Sequence, residues 1–112
     1  MQLITAIIKP HKLDEVRDAL KARGVQGMTI AEVRGFGRQG GHTETYRGTE
    51  YAIAFLPKIE IKVVVDDADA DALVDLVADT AKTGSIGDGK IWVTPVGRLV
   101  RIRTGDEGAD AI

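Results

Sequence analysis

The chain has 112 residues, a formal net charge of −2 and no cysteine. That length suffices for one domain with its own apolar core, and the weak net charge argues against nucleic acid or a membrane as the main partner. The lack of cysteine excludes a disulfide framework, thiol catalysis and a thiolate metal site.

Met1 leads directly into Gln2-Leu3-Ile4-Thr5-Ala6-Ile7-Ile8, with neither a basic leader nor an apolar run of spanning length, so the expectation is one soluble cytoplasmic domain over residues 1–112. Leu3 to Lys9 is a β-branched run stopped by Pro10, which predicts a buried strand. From Lys12 to Arg23 the pattern changes to a helix with Leu13, Val16 and Leu20 on one face. Asp14 and Glu15 lie near its start, Lys21 and Arg23 near its end, and Gly24 follows as the cap. Gly27 to Arg34 alternates as a second strand.

The next stretch, Gly35 to Tyr51, has no apolar period of 2 or 3.6, and it closes at Leu56-Pro57-Lys58. Between well-patterned neighbours, a polar segment of this length is read as a functional loop. Gly35 to Gly40 spells G-x-G-x-x-G, but no helical face follows, so the dinucleotide reading is rejected.

Beyond it, Ile59, Ile61, Val63 and Val65 alternate with Glu60, Lys62 and Val64 as a third strand with a clean apolar face. Ala70, Leu73, Val74, Val77 and Ala81 form a second helical stripe, closed by Lys82 and Gly84. Lys90 to Thr94 and Leu99 to Arg103 are read as two more strands, Trp92 as core packing, and the tail from Gly105 as polar and loose. Two strand–helix–strand units in this length predict an α+β ferredoxin-like sandwich, with one sheet and both helices on one face. The acidic run Asp66 to Asp71 is not an EF-hand, since Ala72 and Ala78 stand where Gly and Glu belong. Those carboxylates are read as first-turn residues stabilised by the helix dipole.

Gly84 to Lys90 satisfies G-x-x-x-x-G-K, yet Ile91 replaces the magnesium-binding hydroxyl and a strand follows, so it is not a P-loop. The backbone N–H groups from Gly87 to Gly89 beside the Lys90 ammonium still suit phosphate. Arg101 and Arg103, two apart on the expected strand, would clamp the same anion, with Arg38 as a further cation. No nucleophile, base and orienter form a set, which argues against an enzyme. His11 and His42 are read as surface residues. Tyr46 and Tyr51 are either plain loop residues or exposed phenols of the kind a modifying enzyme needs.

Gly35-Phe36-Gly37-Arg38-Gln39, His42-Thr43-Glu44, Tyr46-Arg47-Gly48, Glu50-Tyr51, Phe55-Leu56-Pro57-Lys58, Thr83-Gly84, Ile86-Gly87-Asp88-Gly89-Lys90 and Arg101-Ile102-Arg103-Thr104-Gly105 stand in an order that resembles the PII nitrogen-regulatory signal proteins over essentially the whole chain. The resemblance implies a cytoplasmic homotrimer that binds ATP or ADP between subunits and senses 2-oxoglutarate with Mg-ATP. It also implies a T-loop, approximately 37–55, that grips protein targets such as an ammonium channel, a metabolic enzyme or a regulator. Carried over residue by residue, Thr29 and Val64 would meet adenine, and Gly37, Arg38, Gly87, Asp88, Gly89, Lys90, Arg101 and Arg103 would hold the nucleotide. Gln39, Gly41 and Lys58 would take 2-oxoglutarate, with Gln39 also serving magnesium, and Tyr51 matches a tyrosine that some members carry nucleotidylated.

The chain departs from the usual pattern at Glu60 and Lys62, whose charges are exchanged, and at Gly40, Ala54 and His11. These departures motivate a second expectation, an adenine-nucleotide sensor with a lost or altered 2-oxoglutarate response. A slow nucleotide hydrolase and a passive oligomeric scaffold are the readings from other classes.

Overall fold

The computed structural model describes residues 1–37, 45–46, 49–50 and 55–112. In chain order it contains β1 (Gln2–Ile8), α1 (Leu13–Ala22), β2 (Thr29–Gly35), the two-residue strands β3 (Thr45–Tyr46) and β4 (Thr49–Glu50), β5 (Leu56–Val65), α2 (Asp67–Ala81) and β6 (Lys90–Pro95). Short 3-10 turns precede α1 at Pro10–Lys12 and close the chain at Gly108–Ala111.

The main sheet has the order β2-β5-β1-β6, and each neighbouring pair is antiparallel. The two strand–helix–strand units therefore interleave: β5 lies between β1 and β2, while β1 lies between β5 and β6. This is the α+β ferredoxin-like arrangement that the alternation of strand and helix periods predicts.

Register explains which face the helices cover. Ile4, Ala6 and Ile8 on β1 share a parity with Ile59, Ile61, Val63 and Val65 on β5, and all are buried. They form one core with Val16 and Leu20 of α1 and with Ala70, Leu73, Val77 and Ala81 of α2. Burying a side chain of the size of Leu20 or Ile61 stabilises the fold by roughly 1.5–3 kcal/mol, so this layer dominates. The opposite parity, which includes Lys58, Glu60, Lys62 and Val64, faces away from the helices.

Helix ends follow the charge pattern. Asp14 and Glu15 occupy the first turn of α1 and Lys21 its last. At its C-terminus Gly24 adopts φ 91°, and the Gly24 and Val25 amides donate to the Lys21 and Leu20 carbonyls at 3.0 and 3.1 Å. Asp67 and Asp69 lie in the first turn of α2, as the dipole reading requires.

Four expectations are corrected. Leu99 to Arg103 is not a strand: it makes a single bridge, Val100 to Glu107, because the chain turns back on itself at once. The Arg101 amide donates to the Asp106 carbonyl at 2.8 Å and the Gly105 amide to the Arg101 carbonyl at 2.8 Å. The tail from Gly105 is consequently folded rather than loose, with the Gly108 amide reaching the Leu99 carbonyl at 3.0 Å. Trp92 is not core packing but 45% exposed, because β6 is an edge strand and its indole lies on the face without helices. The segment Leu56-Pro57-Lys58, expected to close the long loop, already belongs to β5. Here β5 extends past β1, whose pairing stops at Ile59, so Pro57 has a strand neighbour only on the β2 side.

The β2–β5 ladder runs out to the Gly35–Leu56 pair. Just beyond it the rings of Phe36 and Phe55 meet edge to face, centroids 5.6 Å apart.

Candidate functional site

The loop between α2 and β6 is held by three anchors. Lys58, a buried residue of β5, donates from Nζ to the Gly87 carbonyl at 2.6 Å. Burial pushes its ammonium below the ordinary lysine value, the nearby Lys9 charge adds to that, and Asp88 opposes both. Gly89 lies directly against β1 at φ 102°, where a side-chain carbon would overlap the Ile7 carbonyl.

The third anchor is Asp88. Its carboxylate accepts from the Thr83 and Gly84 amides at 2.9 Å each and from the Thr83 hydroxyl, and it pairs with Lys9 Nζ at 3.1 Å. The Thr83 hydroxyl bond, with the two amides and Lys9 behind it, holds this carboxyl well below the usual aspartate range. Lys9 also donates to Thr83 Oγ1 at 2.9 Å. Asp88 thus spends its lone pairs inside the loop and shapes it. Lys90 opens β6 opposite Ile7, at the same end of the sheet.

A cleft of about 830 Å³ lies at the other end. Thr29 and Val64 line it together with Lys62, and the C-terminal segment closes it through Leu99, Ala109 and Ile112. Arg101 belongs to that segment: its guanidinium meets Asp106 Oδ2 at 3.3 Å and the Ile112 carbonyl at 3.1 Å. Arg103 is exposed in the turn that follows.

The predicted residues therefore fall into two groups. Lys58, Gly87, Asp88, Gly89 and Lys90 gather at one end of β5, with Gly37 just past the Gly35–Leu56 pair at that same end. Thr29 and Val64 lie at the other end, where Arg101 also belongs through its tail. From Lys58 to Val64 is six residues of extended strand, roughly 20 Å at the usual rise. The expectation that Arg101 and Arg103 share an anion with the Gly-Lys segment is not met within one copy, since Arg101 is tied to a turn at the far end. Arg38, Gln39, Gly41 and Tyr51 lie outside the described residues.

Glu60 and Lys62, neighbours on one face of β5, pair with each other at 3.5 Å. Among the described contacts Glu60 makes none with Lys58, which is engaged by the Gly87 carbonyl. Sequence reasoning missed Lys9 and Thr83 as shapers of the loop. A Lys before Pro carries no signal, and Thr83-Gly84 counts only as part of the family pattern, until the fold brings β1 and the α2–β6 loop together.

A model of the family described as nitrogen regulatory protein P-II matches residues 1–106. The chain belongs to that family. It is 57% identical to the nitrogen regulatory protein P-II of Pasteurella multocida and 56% identical to that of Azospirillum brasilense. It is 59% identical to nitrogen regulatory protein P-II 1 of Escherichia coli, and each of the three alignments spans 112 residues and the whole of both chains. These P-II relatives are named for regulation, not for a reaction. Among the described residues of this P-II chain, no helix is long and apolar enough to cross a membrane.

Proposed function

We propose that this single-domain P-II chain is a cytoplasmic signal-transduction protein that binds ATP or ADP in clefts between copies of itself. With Mg-ATP bound it senses 2-oxoglutarate, and it controls proteins of nitrogen metabolism through the 37–55 segment. One observation carries the reading. The residues assigned to adenine, with Arg101, and the Gly87–Lys90 loop assigned to the phosphates lie at opposite ends of β5, roughly 20 Å of strand apart. A second copy brings the ends together: the Gly87–Lys90 loop of one copy faces Thr29, Val64, Arg101 and Arg103 of the next, and cyclic repetition closes a homotrimer.

In this reading Gly37, Arg38, Gly87, Gly89, Lys90, Arg101 and Arg103 hold the nucleotide, while Asp88 holds the loop that presents the amides. Gln39, Gly41 and Lys58 take 2-oxoglutarate, and Tyr51 is the acceptor for nucleotidylation. Among the described residues no group of three or more His, Asp or Glu is placed to hold a metal. Magnesium fits instead as an ion carried on the triphosphate oxygens, with Gln39 beside it. The Glu60–Lys62 pair favours a retained 2-oxoglutarate response over a lost one, because it engages Glu60 with Lys62 instead of Lys58.

Calorimetric titration of Mg-ATP with and without 2-oxoglutarate tests this. Each ligand is expected to tighten the other by the same factor, as reciprocal linkage requires. Absence of ATP binding overturns the nucleotide reading. ATP binding that is indifferent to 2-oxoglutarate leaves an adenylate sensor and overturns the effector half.

A further inference from the structure

We infer that Lys9 is a positioning residue for phosphate binding: it fixes the 83–89 loop in the shape that presents the Gly87–Gly89 amides, without itself touching the ligand. The inference rests on the nucleotide reading above and concerns a residue to which that reading gives no part.

Lys9 follows β1 and reaches across to the loop with one ammonium that makes two contacts. It donates to Thr83 Oγ1 at 2.9 Å and pairs with Asp88 Oδ1 at 3.1 Å. Thr83 and Asp88 are the first and sixth residues of the segment 83–88, and Asp88 in turn accepts the Thr83 and Gly84 amides at 2.9 Å. The ring so closed contains two glycines, Gly84 and Gly87, at φ 85° and 98°, which by themselves leave the backbone free to take many shapes. A cross-brace to a strand is what removes that freedom, since Lys9 is carried by the rigid end of β1, where Ile7 also meets Gly89. The Lys9 side chain is only 18% exposed, so its bonds are partly shielded from water. Charge-assisted bonds of this kind are stronger than neutral ones.

The brace also sets the field at the loop. Lys9 is one of the charges that depress Lys58, so two cations flank the same turn and Asp88 neutralises one of them. Removing Lys9 takes away the ion-pair partner of Asp88 and leaves that carboxylate less neutralised beside the amides that are to meet a phosphate. Geometry and charge then fail in the same direction.

The test compares wild type, Lys9→Met and Lys9→Arg as full chains. Amide exchange is first followed without ligand. Lys9→Met is expected to accelerate exchange at Thr83 to Gly89 by about tenfold or more while the β1 and β5 amides keep their rates, and Lys9→Arg restores most of the protection. Unchanged loop exchange overturns the inference whether or not nucleotide binds. ATP and adenosine are then titrated by calorimetry. Lys9→Met is expected to weaken ATP by about tenfold and adenosine by less than about twofold, the loss falling on the phosphate end. Equal loss for both ligands, or no loss for either, overturns it. A wild-type chain that binds neither ligand defeats the nucleotide reading instead, and the exchange result still decides the part of Lys9 in the loop.

Discussion

Gly89 presses its α-carbon against the Ile7 carbonyl so closely that no side chain fits between them, and it does so at φ 102°. Two independent reasons thus require glycine there, the backbone region and the contact. Gly89→Ala is expected to destabilise the protein by about 2–4 kcal/mol, from left-handed strain and displaced backbone together. Urea unfolding reads this as a lower midpoint at unchanged slope. A loss below about 1 kcal/mol at that site would mean that the loop lifts off β1 at little cost.

Asp88 predicts an acid-sensitive contribution. Its folded pKa lies below the ordinary 3.8, so the unfolded chain takes up the proton first as pH falls. The stabilisation is therefore complete above the ordinary aspartate value and is lost as pH drops through the folded one. Asp88→Asn is expected to be less stable than wild type near neutral pH, with the gap narrowing below about pH 4. Urea unfolding of both proteins at neutral and acid pH checks this. A gap that stays constant across the series would assign the effect to lost hydrogen-bond shape and not to charge.

The proposed cleft between copies predicts complementation between defective chains. Lys90→Ala damages the loop end and Arg101→Ala the tail end, so each variant alone is expected to bind ATP at least tenfold more weakly. When the two are unfolded together and refolded as an equal mixture, about a quarter of the clefts pair two undamaged ends in a cyclic assembly, and that fraction regains wild-type affinity. Calorimetric stoichiometry distinguishes a restored minority of sites from uniform weak binding. No restored fraction would place both groups of residues in separate sites on one chain.

Period and charge were enough to read the sheet strands and both helices. Ile59, Ile61, Val63 and Val65 alternate because one face of β5 meets the helices, and that constraint is local to the strand. The stretch Leu99-Val100-Arg101-Ile102-Arg103 alternates equally well, yet Ile102 is 98% exposed. Its period reflects no covered face in this chain. Its hydrogen bonds go to Asp106 and Gly105, and the side chains of Thr104 and Asp106 meet at 2.8 Å to turn it back. Trp92 misled for a related reason, since burial of an edge strand depends on what lies beyond the sheet. The glycines of the 84–89 loop were visible as a motif. The brace of Lys9 on Thr83 and Asp88 was not, because it joins residues 74 or more positions apart through contacts that only the fold creates.

The neck formed by the Gly35–Leu56 pair and the facing rings of Phe36 and Phe55 fixes where the intervening stretch leaves the sheet and where it returns. Both stumps emerge side by side from a ladder that is complete without what they carry. The sheet therefore carries the segment at two adjacent points without drawing on it for its own pairing, so the fold of the core and the binding task of the segment are physically separable.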